Sequence, residues 1–502
     1  MIIRRKIDSD YEYKLLLHII LRDEMSFKDI EFGMAEAENE RVEKPYLLLE
    51  AFMDENKYID NIINGNKFIV LGPKGSGKSA IASRIELLSE TKNDYYVHIN
   101  YLSNFPYKAF SNILLKKESP ETTYPDTWTL LIILSLLNSF YKDKDIKSRN
   151  PDEFENIKSI LLNLNLIFND NKLIEIVKKT SERNFKVEIP KVLSYHQTKT
   201  SETKPSNIFD LFEFIKNCFY NIKGKKDHIL VIDGLDDILT KTSIQYDSLA
   251  ALILATDRLN KEIKKREIPA KIIILSRTDL FERLPGPNKN KIRQDRAIEL
   301  NWFHTVREPE NSDLIKLANL RAETSLGRSV DIFSDFIPLK LYRDELTIKV
   351  ILNYTRHLPR DLIQVLNNIQ KHCKSSRVTK DNILEGLRTY STNYFIPEIK
   401  DELVGYISDN EVNLMFDLFA SMRKNEFTYD DLVKKSKDYG KYNELNIEKT
   451  LKSLFDCSAI GNIVKVGGKT HFYYKYRNRQ SNLDLNEKIH LHRAISKGLS
   501  LN

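Results

Sequence analysis

Two periodicities divide the sequence. Apolar, strand-length runs occur within residues 68–71, 94–102 (DYYVHINYL), 228–239 (HILVIDGLDDIL), 270–281 (AKIIILSRTDLF) and 296–303 (RAIELNWF). Between them, apolar residues return every three or four positions, as Ala80, Ile81, Ile85 and Leu88 do. Strands separated by helical stretches of this length predict a parallel sheet of α/β class, because a parallel neighbour is reached only through a crossover. Residues 103–222 read as a mainly helical insertion, with a polar loop, SYHQTKTSETKPSN, at 194–207.

After the last strand the pattern changes. Residues 306–400 carry no strand period and predict a helical lid domain. Its marker is a helix opened by Leu358-Pro359-Arg360-Asp361, with Leu362, Val365, Leu366 and Ile369 on one face. Residues 401–482 give three helical segments, then GNIVKVGGKTHFYYKYRNR, whose strand-like arms flank Gly467-Gly468. Three helices followed by a hairpin predict a winged helix. The remaining divisions are an N-terminal helical segment and linker at 1–66, the sheet domain at 67–305 and a basic tail at 483–502.

Glycine spacing adds chemistry to this frame. The chain has only 16 glycines in 502 residues, yet Gly72, Gly75 and Gly77 fall within six positions of FIVLGPKGSGKSAIASRI. Glycine admits positive φ and close approach of another group to the main chain, so the cluster implies an object gripped by backbone. The spacing of Gly72 and Gly77-Lys78-Ser79 matches the P-loop, in which successive N–H groups at a helix start cradle phosphates. The predicted phosphate-binding residues are therefore Gly72, Pro73, Lys74, Gly75, Ser76, Gly77, Lys78, Ser79 and Ala80. Lys78 would reach the β- and γ-phosphates, and Ser79 would ligate Mg²⁺. The strand at 229–232 ends in Asp233, a second candidate for holding Mg²⁺, in the manner of a Walker B strand. Asp236 and Asp237 follow; either is a candidate general base, and acids at a helix start also simply favour its dipole. Arg277, at the tip of the apolar strand 272–275, is placed to sense the third phosphate. Arg360 is a candidate to reach the phosphates from the helical domain, with an ordinary helix-terminal ion pair as the alternative.

Composition narrows the class. With 41% hydrophobic and 30% charged residues the chain is expected to be a soluble protein of several domains, and its cysteine usage points to the cytoplasm. Met1-Ile-Ile-Arg-Arg-Lys-Ile-Asp is followed by no apolar stretch, so no secretory signal is expected. The run 130–137 is too short for a membrane span and predicts a buried helix. Cys218, Cys373 and Cys457 are odd in number and outside CxxC spacing, which argues against disulfides and thiolate metal sites and for core positions. The formal charge of +7 lies almost entirely beyond residue 462, where eight basic residues face two acidic ones. Lys465, Lys469, Lys475, Arg477 and Arg479, with Tyr473, Tyr474 and Tyr476 between them, make nucleic acid a possible partner of the hairpin and tail. The preceding helix, NIEKTLKSLFDC, is charge-balanced, unlike a helix that reads a DNA groove, so docking on the sheet domain or on a protein partner stays open. The ExK triplet in PEIK (397–400) is expected by chance among 71 acidic and 78 basic residues.

GPKGSGKS, LVIDGLDD, IILSR and LPRDL occur in the order used by P-loop ATPases of the AAA+ and STAND class, which this chain resembles over most of its length. The helical lid and winged helix are similar to the origin-recognition type and to NACHT and AP-ATPase switches. FGMAEAENE (32–40) and SRTDLFERLPGPNKNKIRQD resemble a bacterial family of uncharacterised P-loop ATPases found among anti-phage defence genes. The resemblance implies an ASCE/AAA+ sheet, ATP or ADP with Mg²⁺, and slow or partner-stimulated hydrolysis. It implies Asp233 as the Mg²⁺ acid, Arg277 as a sensor-1-like residue and Arg360 as sensor 2 with Pro359 beside it. It also places the segment near Phe32 over the adenine. It further implies a homo-oligomer or an effector partner, with Arg283, Arg293 or Arg296 as the arginine lent to a neighbour. The chain departs from standard AAA+ proteins at Gly234, where the catalytic glutamate usually follows the Walker B aspartate; the STAND form, with acids three and four positions on, fits better, and a nucleotide-locked scaffold with little hydrolysis stays an alternative.

Overall fold

The computed structural model describes residues 25–102, 105–112, 120–167, 173–180, 208–235, 243–286, 289–303 and 308–501. The loop expected at 194–207, and Asp236 and Asp237, lie outside the described residues.

Five parallel strands form the main sheet: β1 (Ile69–Gly72), β2 (Tyr95–Tyr101), β3 (Asp227–Asp233), β4 (Ala270–Arg277) and β5 (Ala297–Glu299), in the order β2-β3-β4-β1-β5. A parallel sheet is covered by helices on both faces, so its central strands are apolar at successive positions rather than alternately. β1 is buried at all four positions and β3 from His228 to Asp233. This is a P-loop α/β fold. Register then fixes what meets at one edge: Gly72 lies opposite Arg277 on β4, and Tyr101 opposite Asp233. These are the carboxyl ends of the strands, where such sheets present their ligand crevice.

The covering helices include α1 (Lys78–Lys92), α2 (Pro120–Phe140) and α3 (Ser243–Arg266). The apolar run 130–137 lies buried in α2. The Trp128 indole donates to the Ser248 carbonyl of α3 at 2.8 Å, which satisfies its one polar atom inside the core. No helix among the described residues is long and apolar enough to cross a membrane. All three cysteines are free and buried.

The chain forms two compact units, one of Asp54–Pro73 and Lys78–Leu300, the other of residues up to Met53 with Lys74–Gly77 and Asn301–Asn502. The second unit contains α4 (Asp313–Leu326), α5 (Thr347–Asn353), α6 (Pro359–His372), α7 (Lys380–Tyr390), a π-turn at Ser391–Phe395 and α8 (Ile396–Leu403). It continues through α9 (Asp409–Met422), β6 (Glu426–Phe427), α10 (Tyr429–Lys437) and α11 (Ile447–Asp456). Then come β7 (Ile460–Val466), β8 (Lys469–Tyr473), β9 (Lys488–Leu491) and α12 (Arg493–Gly498). The last four strands pair antiparallel in the order β8-β7-β9-β6. Gly467 and Gly468 have φ of 55° and 76°, the left-handed pair that a two-residue hairpin loop demands.

Two features differ from the sequence reading. Within 483–501 the chain is folded rather than a tail: Ile489 and Leu491 of β9 and Ala494 and Ile495 of α12 are buried. One apolar core also runs across residue 400, joining Tyr390, Phe395 and Ile399 to Phe419, Leu451 and Ile495, so the helices before residue 400 and the hairpin region after it share an interior.

Candidate nucleotide site

The buried run of β1 delivers the chain to the sheet edge, where it turns through Gly75 (φ +82°) and Gly77 (φ +98°) into α1. Both glycines sit where an L side chain is strained, which is why the loop spends them there. Lys78, the first residue of α1, is buried, and its Nζ donates to the carbonyls of Gly72 and Pro73, each at 3.2 Å. The ammonium is thus folded over the loop that its backbone begins. Ser79 Oγ donates to Asp233 Oδ2 at 2.9 Å, bringing together residues 154 apart in sequence. The other oxygen of Asp233 accepts from the Gly234 amide at 2.7 Å. A hydroxyl and a carboxylate side by side are hard oxygen donors, a set that suits Mg²⁺. Ala80 follows, half-buried, as the third residue of α1.

Arg277 is buried, and its Nε and Nη2 grip Asp279 as a bidentate pair at 2.9 Å each. It therefore stands level with Gly72 but with its guanidinium held by the first turn of the following helix. Among the candidates for an arginine lent to a neighbour, Arg293 pairs with Glu299 and Glu282 and Arg296 with Asp257. Gly234 has φ +74°, a conformation that a glutamate at this position would adopt only with strain.

The loop residues Lys74–Gly77 have their own partners. Trp302 Nε1 donates to the Ser76 carbonyl at 2.8 Å. The Arg360 amide donates to the Gly75 carbonyl at 3.3 Å, and a Cβ on Gly75 would come within 3.2 Å of Arg360 Cβ. Glu398 pairs with both Lys74 Nζ and Arg360 Nη1 at 3.2 Å. Neither Trp302 nor Glu398 is a candidate from sequence; the only signal for Trp302 is an indole just past the last strand.

Arg360 is presented by a turn fixed from behind. Pro359 is the buried first residue of α6. Arg356 donates Nε and Nη2 to Asp361 at 3.0 and 3.1 Å and Nη1 to Glu402 at 2.6 Å, all three side chains being buried. The Asp361 carboxylate also accepts from the Arg356 amide at 3.0 Å and Tyr394 Oη at 3.1 Å. Burial opposes ionisation of Asp361, but the adjacent guanidinium outweighs it and holds the carboxyl below its usual range.

Phe32 is not available to cover a base. Its ring is buried at 1% exposure against Phe27, with centroids 5.3 Å apart. Its carbonyl accepts from Arg321 Nη1 at 2.8 Å, and that guanidinium also pairs with buried Glu40. The aromatic therefore anchors the N-terminal strap instead of facing a ligand. The hairpin aromatics divide similarly: Tyr473 is exposed, while Tyr474 is buried among His490, His492 and Tyr476. Arg477 lies over the Tyr474, Tyr476 and Phe303 rings.

Comparison with known proteins gives a family match for one segment. Residues 312–396 match the FunZ-associated C-terminal helical domain, within the helical stretch expected at 306–400. No curated protein matches the chain. Among solved structures, the chain is similar to the Orc1 protein of Aeropyrum pernix in complex with DNA, at 11% identity and a TM-score of 0.37, covering 91% of this chain and 96% of that one. It is also similar to Cdc6p of Pyrobaculum aerophilum, at 13% identity and a TM-score of 0.31, covering 93% and 97%.

Proposed function

We propose that this protein is an ATP-binding and ATP-hydrolysing switch of the AAA+/STAND class. The observation that carries the reading is the Ser79–Asp233 contact at the carboxyl edge of a parallel sheet, beside a loop with Gly75 and Gly77 at positive φ and Lys78 folded over it. Backbone amides of residues 74–80 bind the phosphates, Lys78 compensates their charge, and Ser79 and Asp233 hold Mg²⁺. When bound, Mg²⁺ neutralises charge on the β- and γ-phosphates. Asp236 or Asp237 polarises the attacking water, since Gly234 brings no carboxylate. Arg277 and Arg360 report the third phosphate, and Arg360 passes that state to the helical lid and the winged helix, which act on an effector or on further copies of the chain. The setting proposed with this role is the bacterial cytoplasm and anti-phage defence, on the resemblance of segments 32–40 and 276–295.

Steady-state ATP hydrolysis tests the reading. Lys78→Ala and Asp233→Asn should each reduce turnover at least a hundredfold, with only the second retaining nucleotide; unchanged turnover in both contradicts it. A second reading, contact with nucleic acid, is favoured by β8, exposed at every position, and by exposed Lys465 and Lys469 beside the hairpin loop. It predicts duplex-DNA affinity that falls steeply with salt.

A further inference from the structure

We propose that Glu398 is an anionic competitor built into the nucleotide site, holding the two cations that a bound polyphosphate would otherwise engage. The inference rests on the nucleotide reading above and assigns that site a regulator. A single carboxylate oxygen, Oε1, is the partner of both Lys74 Nζ and Arg360 Nη1, each at 3.2 Å. The Glu398 side chain is 13% exposed, against 30% for Lys74 and 26% for Arg360, so the contact is better shielded from water than an ordinary surface ion pair. Both cations are set close to the loop by main-chain geometry: Lys74 belongs to it, and the Arg360 amide bonds the Gly75 carbonyl.

A polyphosphate offers these donors more charge and several oxygens, and guanidinium–phosphate contacts are bidentate by preference. Carboxylate and phosphate therefore compete for Lys74 and Arg360, and a carboxylate beside a bound triphosphate repels it. Glu398 has a route to the rest of its unit. It is the third residue of α8, immediately after the π-turn Ser391–Phe395, a local widening of the kind that recurs at functional positions. Gly498 of α12 rests on that turn: a Cβ there would meet Ile396 Cδ1 at 2.6 Å and Ser391 O at 3.2 Å. Displacing the carboxylate thus acts at the joint on which the C-terminal helix is seated.

The test is calorimetric titration of Mg·ATP and Mg·ADP into the full chain and into Glu398→Gln, with Glu398→Ala as a second variant and unfolding temperatures confirming that each is folded. Removing one negative charge several ångströms from the phosphates should tighten ATP binding about fivefold and ADP binding less, the triphosphate carrying more charge to repel. ATP affinity equal to or weaker than wild type in the folded variants overturns the inference and leaves the nucleotide reading intact. If wild type and variants alike take up no nucleotide, the proposed function fails and the inference falls with it.

Discussion

Asp361→Ala is the sharpest structural perturbation. The Asp361 carboxylate receives Arg356 Nε, Arg356 Nη2, the Arg356 amide and Tyr394 Oη, and is wholly buried. Its removal leaves a guanidinium in a dry interior with Glu402 as its remaining carboxylate. Orphaning a buried charge costs about 3–5 kcal/mol. Because Glu402 still faces Nη1, the lower end applies, about 3 kcal/mol. For a unit of this size each kcal/mol moves the melting temperature by about 2–4 °C, so its transition should fall by about 6–12 °C. Differential scanning calorimetry reads this directly. The same variant frees the turn that presents Arg360 and should weaken ATP binding. A shift below about 2 °C would refute the claim that this ion group fixes the turn.

Acid should destabilise the same unit. Burial pushes His357 and His492 down to about 3 and His490 down to about 4, from an ordinary value of 6.5. Between those values the unfolded chain binds protons that the folded one refuses, so stability is lost as pH falls from about 6.5 towards 4, at about 2 kcal/mol per histidine by pH 5. Denaturant midpoints at pH 7 and pH 5 that coincide would contradict the buried, neutral assignment. Trp302→Phe removes the indole donor to the Ser76 carbonyl while keeping an aromatic body; a neutral hydrogen bond of about 0.5–1.5 kcal/mol predicts ATP binding weakened about two- to tenfold. An unchanged dissociation constant would show that Trp302 does not support the loop.

The sheet was legible because burial on both faces writes itself as uninterrupted apolar runs, as in Ile229–Ile232 and Ile272–Leu275. The P-loop was legible because its glycines have a backbone reason. Strand order was not, since nothing local tells β1 to insert between β4 and β5. Glu398 and Trp302 were invisible for the same reason: each meets the loop from more than 200 residues away, and no local pattern marks the meeting. In the last twenty residues, charge hid structure. Ile489 and Leu491 alternate with Lys488 and His490, a period-two strand pattern set inside a run of basic charge that predicts a solvated tail; His490 is buried with the two apolar residues. Tyr474 and Phe32 show the converse error, in which an aromatic that suited a ligand proved to be core.

The proposed function stands or falls with the loop from Gly72 to Ser79 holding the triphosphate of ATP. Isothermal titration of Mg·ATP into the intact chain tests it most directly. One nucleotide should be taken up per chain and none by Lys78→Ala; saturable binding that survives Lys78→Ala, or no uptake by the folded wild-type protein, rules the loop out as the seat of the triphosphate.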